Sequence, residues 1–390
     1  MPTVTFLSNG HGEDVVGALL AEELLRQRPN LWVQAFPTVD EGRAYEHLDI
    51  PILGPRRPMP SGGLTMHRLD LLLADLHAGF LGMTADQLTA LRRLQSDTLV
   101  VVGDVYALLL SSLVPTKTRF MVQTLVSAHH SSGLAEKLRR PNRVFMEGIG
   151  PLERSLMRRL TRHVYVRDAA TAAFLKRTSV EQASALGNPM LDGAAGVTMP
   201  EHAGSPVLIA LLPGTRAYAP AALTTMLLAL AQMPQATGLV AWAGGVLPLP
   251  PPPWASALPL PNAVGLTAIF SHGVQRVYVY KQRFADILRS AHLVLGTAGT
   301  ANEQAAALGK RVVSFPVPPL YTEAFLRNQA RLLGDALTVT EPKPEVLAAT
   351  LQTLLADASG SAHVATAASR LGKPGGTRAI VTDLLSRADL

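Results

Sequence analysis

The segment Gly296-Thr297-Ala298-Gly299-Thr300-Ala301-Asn302-Glu303-Gln304 follows a short apolar run and opens a helical one. Its small residues let backbone amides approach an anion, and a helix N-terminus attracts negative charge. Glu303, read as lying in the first helical turn, can hold ribose hydroxyls while the amides hold phosphate. Thr300 and Glu303 also have the spacing of a capping box, and on spacing alone that reading is the stronger. Pro213-Gly214-Thr215-Arg216 is a second turn of this kind. Arg216 offers phosphate oxygens a fixed charge and planar donors, although an exposed arginine after a turn explains it equally well. Two such turns at strand ends weigh more than either alone.

A third turn, Ser8-Asn9-Gly10-His11-Gly12-Glu13-Asp14, sets a histidine between two glycines. A turn histidine is suited to general base work near neutral pH, with Glu13 to orient it. Helix capping by Asn9, with acids in the first turn, accounts for the same residues equally well. Asp104, directly after a buried run, is a second candidate base or a plain turn carboxylate. His129 and His130 form a further polar cluster with no assigned role. Neighbouring side chains rarely converge and no HExxH spacing occurs, so no metal site is expected.

These turns need strands and helices to position them. Thr3-Val4-Thr5-Phe6-Leu7 reads as a strand, followed by a helix through Leu25 and a strand from Trp32 to Phe36. That is the opening of a parallel α/β sheet. Residues 69–94 read as one or two amphipathic helices, and 98–103, 119–125 and 163–166 as buried strands. A second series of the same kind starts at 207–212, with strands expected at 238–242, 277–280, 293–295 and 312–315. Its helices are expected at 224–233, 284–290 and 301–308, and the chain from Glu345 reads as helical with a break near 372–376. The expected organisation is a first Rossmann-like domain over 1–196, a linker over 197–206 and a second domain over 207–365. A helical tail over 366–390 packs back on the first domain. Two open α/β sheets in tandem place a cleft between them, and ligands bind beyond the carboxyl ends of such strands.

Composition narrows the function classes. The chain has 390 residues, 48% hydrophobic and 16% charged, which excludes a disordered chain and suits about two or three domains of roughly 100–200 residues. The absence of cysteine excludes disulfides, thiolate metal sites and cysteine nucleophiles, and is compatible with the cytoplasm. No signal peptide and no bilayer-length apolar run is read, so a soluble protein is expected. The net charge of +6 is concentrated: residues 105–177 hold 13 Lys and Arg against four acids, a local +9. Such a surface meets anionic lipid, nucleic acid or phosphate-bearing substrates, or simply solvates.

Taken together, the motifs resemble lipid-A-disaccharide synthase, and more closely the lipid-A-disaccharide synthase-related proteins. The likeness to the lipid II N-acetylglucosaminyltransferase and to monogalactosyldiacylglycerol synthases is more distant. It rests on residues Ser8 to Asp14, on Gly187-Asn188-Pro189-Met190-Leu191-Asp192, on Leu211-Leu212-Pro213-Gly214-Thr215-Arg216, and on Gly296-Thr297-Ala298 with Glu303. The resemblance implies a GT-B fold, with two doubly wound Rossmann-like domains facing a central cleft. It implies an inverting transfer from a UDP-sugar, N-acetylglucosamine or another hexose, to a lipid acceptor at the membrane surface, with no metal or other cofactor. Donor binding then falls to Gly214, Thr215, Arg216, Gly296, Thr297, Ala298, Gly299, Thr300, Asn302, Glu303 and Gln304. Arg216 and the amides from Gly296 to Thr300 would hold phosphate, Glu303 the ribose, and Asn302 or Gln304 the sugar. Asn9, Gly10, Gly12 and Glu13 fall on the acceptor side, and His11 or Asp104 is the base.

On this reading the protein is cytoplasmic and peripheral on the inner face of the membrane. The basic stretch Lys117 to Arg177 and an apolar helix over 69–81 dock there, although core packing explains that helix slightly better. The synthase's habit of pairing adds a homodimer to the expectations. The synthase has Gly-Glu-Ala-Ser-Gly-Asp where His11 lies and histidine where Asn188 lies, so lipid A synthesis itself is not expected. The rivals are a UDP-sugar epimerase or hydrolase on the same fold, a non-catalytic nucleotide-binding protein, and an NAD-dependent oxidoreductase. The last lacks an acidic residue closing the second strand at Phe36-Pro37. Nucleic acid is not an expected partner, because charge is its one support and no helix-turn-helix or stacking motif occurs.

Overall fold

The computed structural model describes residues 1–39, 41–56, 80–124, 126–130, 149–194, 196–257, 264–357, 360–388 and 390. Most of the expected helix over 69–81, and 131–148 of the basic stretch, lie outside the described residues. The chain divides into two compact units, Met1–Asp192 with Gly372–Leu390, and Gly193–Leu371.

The first unit alternates strand and helix. It runs β1 (Thr3–Ser8), α1 (His11–Gln27), β2 (Trp32–Pro37), α2 (Phe80–Arg93), β3 (Ser96–Val102) and α3 (Val105–Ser111). It continues through β4 (Thr116–Gln123), α4 (Pro151–Leu160), β5 (His163–Val166), α5 (Ala169–Arg177), β6 (Ala183–Ser184) and α6 (Pro189–Asp192). The strands make one parallel sheet in the order β2-β1-β3-β4-β5-β6. Alternation sorts its apolar side chains onto two faces. Val4, Phe6, Val100, Val102, Phe120 and Val122 pack with Val16, Leu20 and Leu24 of α1. Leu7, Leu99 and Val101 pack on the other face with Ala107 and Leu110 of α3. Each fully buried chain of this size contributes about 1.5–3 kcal/mol, so the sheet needs no disulfide to hold it.

The second unit runs β7 (Val207–Leu212), α7 (Ala219–Leu230), β8 (Ala236–Ala241), β9 (Ala255–Ala257), β10 (Leu266–His272), β11 (Gln275–Tyr280) and α8 (Phe284–Ser290). Then come β12 (Leu293–Gly296), α9 (Gly299–Ala307), β13 (Arg311–Ser314), α10 (Glu323–Leu333), β14 (Leu337–Val339), α11 (Pro344–Ala356) and α12 (Gly360–Leu371). Its sheet order is β14-β13-β12-β7-β8-β11-β10-β9, parallel except for the antiparallel β9-β10-β11 edge. Residues 197–206 pack on this unit. Met199 is buried, its amide donates to Ser290 Oγ at 2.8 Å, and the buried His202 ring shares a 2.8 Å hydrogen bond with Tyr280 Oη.

The last helix, α13 (Gly376–Ala388), belongs to the first unit. The Gly187–Asp192 motif grips it. Asn188 N donates to Lys373 O at 2.7 Å. The Asp192 carboxylate accepts from Gly375 N and from Thr377 N, the latter at 2.7 Å. Further along, Tyr165 Oη donates to Asp383 Oδ2 at 2.8 Å. Ile380, Val381 and Leu384 join the core that α1 covers. No helix among the described residues is long and apolar enough to cross a membrane.

Candidate functional site

In an open α/β sheet, ligands gather where the strand order reverses. In the second unit that point falls between β7 and β12, neighbours that lead in opposite directions across the sheet. The two phosphate-type turns follow these two strands, so the fold sets them side by side. Leu212 pairs with Gly296, the last residues of β7 and β12. Thr297 then ties one turn to the other: its Oγ1 donates to Pro213 O at 3.1 Å, and its own carbonyl accepts from Tyr218 Oη at 2.7 Å. Gly214 sits at φ +90°, a conformation that favours glycine.

The carbonyls of the β12–α9 turn are held from behind. Gly296 O accepts from Ser314 Oγ at 2.6 Å and from Asn302 Nδ2 at 3.2 Å. Gly299 O accepts from Gln329 Nε2 at 2.8 Å. Asn302, Ser314, Tyr321 and Gln329 form one buried network, with Tyr321 Oη 3.1 Å from each of the other three. Burial raises the Tyr321 phenol, and the nearby charge of Glu303 adds to the effect. Burial likewise pushes the Tyr218 phenol up to about 12, against the pull of the Arg216 charge, so it stays a donor at neutral pH.

The start of α9 carries no side-chain cap: Ala298, its N-cap, makes no such hydrogen bond, and Ala298, Gly299 and Thr300 are half-buried. The capping box read from the spacing does not form. The helix begins at Gly299, so Thr300 is its second residue and Glu303 its fifth, beyond the first turn where it was expected. Gly296, Thr297 and Asn302 are buried, and Asn302 turns its Nδ2 to the network beneath the turn. That placement corrects its expected role as a sugar contact: it supports the turn from inside. Gly214, Arg216, Glu303 and Gln304 are half-buried and Thr215 is exposed.

In the first unit the order reverses between β1 and β3. Asn9 follows β1, and Asp104 follows β3 as the N-cap of α3. Asp104 Oδ1 accepts from Asn9 Nδ2 at 2.7 Å and from Tyr106 N at 2.9 Å. Asn9 therefore does not cap α1, whose N-cap is Gly10 without a side-chain bond. Gly103, at φ +152°, leaves the space that Asn9 uses, since a Cβ there would collide with Asn9 Oδ1. His11, the first residue of α1, is exposed and Gly12 half-buried. Glu13 is buried with its carboxylate folded against Gly10. Beneath the turn, Asp14 Oδ1 accepts from Ser8 Oγ at 2.5 Å, and Ser8 Oγ lies 3.0 Å from Tyr45 Oη.

Sequence reasoning missed the supporting groups Tyr218, two residues beyond Arg216, and Ser314, Tyr321 and Gln329, which lie further along the chain than the turns they support. The polar residues among apolar ones at the carboxyl ends of β13 and the start of α7 were the signal available. Among the described residues no cluster of three His, Asp or Glu side chains is arranged to hold a metal ion.

No protein-family model matches the chain, and no curated protein does. Solved structures match it along its whole length. CalG4, the calicheamicin glycosyltransferase, is 16% identical, with 99% of each chain covered and a TM-score of 0.60. A putative UDP-N-acetylglucosamine 2-epimerase from Listeria monocytogenes is 15% identical over 99% of this chain and 96% of that one, with a TM-score of 0.59. S. aureus MnaA in complex with UDP is 12% identical over 99% and 96%, with a TM-score of 0.60. The chain has the GT-B fold, built from two Rossmann-like units. At these identities the likeness is one of fold.

Proposed function

We propose that the protein is an inverting, UDP-sugar-dependent glycosyltransferase that passes a hexose, such as N-acetylglucosamine, to a lipid acceptor. The observation that carries the reading is the uncapped N-terminus of α9, braced by side chains behind its carbonyls and joined to the turn that bears Arg216. Such a terminus is a ready anion site. The solved UDP complex of S. aureus MnaA, on the same fold, supports a nucleotide ligand. The motif resemblance to lipid-A-disaccharide synthase-related proteins supports the lipid acceptor. With it come a peripheral place on the inner face of the membrane and a homodimer.

In the proposed reaction, Arg216 and the amides of Gly299, Thr300 and Ala301 hold the diphosphate. Glu303 takes the ribose, and Gln304 the sugar. The acceptor oxygen bonds to the anomeric carbon on the face opposite UDP as the carbon–phosphate oxygen bond breaks. Asp104 or His11 receives the hydroxyl proton. The electron pair leaves with UDP, and the helix terminus and Arg216 balance its charge in place of a metal.

A second reading has its own support: solved structures of a UDP-N-acetylglucosamine 2-epimerase and of a putative one match the chain as fully as a glycosyltransferase does. Incubation with UDP-N-acetylglucosamine, with and without a hydroxyl-bearing lipid acceptor such as diacylglycerol, separates the two. The proposal expects UDP release that depends on acceptor. Inversion at C2 of the sugar without acceptor would replace it with the epimerase reading.

A further inference from the structure

Among the described residues of the second unit, Phe325 is the one Phe, Tyr or Trp left exposed, at 37%. It is the third residue of α10, whose buried stripe is Leu326, Gln329, Leu332 and Leu333. Thr322 caps this helix, and its Oγ1 accepts from Phe325 N at 3.3 Å, so the backbone that carries the ring is fixed. The ring packs on Tyr321 at 5.2 Å between centroids, and Tyr321 packs on Tyr218 at 5.8 Å. Three rings thus run from the turn that bears Arg216 to the start of α9.

The contact with α9 is direct. A Cβ at Gly299 would stand 2.9 Å from Phe325 Cζ, closer than carbon atoms pack. Glycine at the first position of α9 therefore lets the ring come against the helix terminus. Gln329, one turn further along α10, donates to Gly299 O at 2.8 Å. A single exposed apolar side chain is ordinary on a protein surface. This one lies against the amides that the transferase reading gives to the diphosphate. It does not suit the diphosphate itself, because the face of an aromatic ring is negative. In a UDP-sugar the diphosphate has two organic neighbours, ribose and hexose. The ribose is assigned to Glu303, one turn beyond Gly299 on α9. The hexose remains, and the C–H groups on the faces of its ring suit an aromatic surface.

We propose that Phe325 is a binding residue for the hexose of the donor, whose C–H face packs on the exposed side of the ring while Gln304 takes hydroxyls. This deepens the reading of the donor site above and rests on it. The ring then separates a nucleotide that carries a hexose from one that does not. It adds affinity for UDP-N-acetylglucosamine and none for UDP. A Phe325 that only braces Tyr321 and the turn would serve both ligands equally.

Calorimetry of the full chain with UDP and with UDP-N-acetylglucosamine tests this on the native protein, Phe325→Leu and Phe325→Tyr. Phe325→Leu keeps apolar bulk on Tyr321 and removes the aromatic surface. It should weaken UDP-N-acetylglucosamine about threefold to tenfold, the worth of one aromatic contact, and leave UDP unchanged. Phe325→Tyr keeps the surface and should bind both ligands as the native protein does. Equal weakening of the two ligands in Phe325→Leu overturns the proposal in favour of bracing or of contact with the uridine, and so does weakening of neither. Should Phe325→Leu not fold, crystals of the native protein soaked with UDP-N-acetylglucosamine decide the matter. Hexose carbons should lie within about 4–4.5 Å of the Phe325 ring, and a hexose held elsewhere overturns the proposal. A native protein that binds neither ligand fails the donor-site reading itself. Native binding with an indifferent Phe325→Leu fails the role of the ring alone.

Discussion

Replacing Tyr218 by Phe deletes one hydroxyl and leaves the ring, whose packing on Tyr321 at 5.8 Å between centroids is kept. The hydroxyl donates to Thr297 O at 2.7 Å in a buried setting. A neutral hydrogen bond contributes about 0.5–1.5 kcal/mol net, and a buried carbonyl left without its donor costs about 1–3 kcal/mol. Tyr218→Phe should therefore lower unfolding free energy by about 1–2 kcal/mol in urea titration. If the bond also holds the turn in its anion-binding shape, part of that energy reappears as lost affinity. A loss of about 0.7–1.4 kcal/mol corresponds to a roughly threefold to tenfold weaker UDP complex by calorimetry. Thr297→Val removes the other tie, the 3.1 Å bond to Pro213 O. Because both ties act on one turn, the affinity loss in the double variant should be smaller than the sum of the single losses. A variant that loses stability yet binds UDP as tightly as the native protein would refute the claim that this tie shapes the donor turn. Strictly additive losses would refute the claim that the two ties work as a unit.

Two further outcomes follow from the first unit. Asp192→Ala removes the carboxylate that accepts from Gly375 N and Thr377 N, so it should cost about 1–2 kcal/mol and speed proteolysis and amide exchange across Gly376–Ala388; unchanged exchange there would remove the clamp from the account. His163 is buried, and burial, aided by the Arg387 charge, lowers it to about 4. Its proton affinity is thus higher unfolded, near 6.5, than folded, so stability is fully present above that value and is lost as pH falls toward 4. The loss is at most about 3 kcal/mol. His163→Gln should flatten this acid slope, and an unchanged slope would assign it to other groups.

The fold was legible because its strands are short, apolar and β-branched, with turn residues at their ends. The runs Thr3–Ser8, Ser96–Val102 and Val207–Leu212 announce themselves in this way. The strand Leu266–His272, next to the edge, did not, since Thr267 and Ser271 interrupt its apolar pattern and its burial alternates. The candidate turns were visible from their small residues, but their partners were not. Asn9 resembles a helix cap in sequence, and only the pairing of β1 with β3 brings it to Asp104. Asn302 and Glu303 are adjacent in sequence, yet one side chain points into the unit and the other does not share its burial. The start of α9 at Gly299 rather than Ala301 decides this, and the groups that hold its first turn, Ser314 on Gly296 O and Gln329 on Gly299 O, come from elsewhere in the chain, beyond local spacing.

The central claim is that UDP is held at the start of α9 beside Arg216. Its most direct test is calorimetry of UDP and UDP-N-acetylglucosamine against the native protein, Arg216→Ala and Glu303→Ala, with NAD as the control ligand. The account predicts that both uridine ligands bind and NAD does not. It predicts that Arg216→Ala weakens binding by about tenfold to a hundredfold, the worth of a charge-assisted phosphate contact, and that Glu303→Ala weakens it as well. Absence of uridine binding, or binding indifferent to both substitutions, would contradict it.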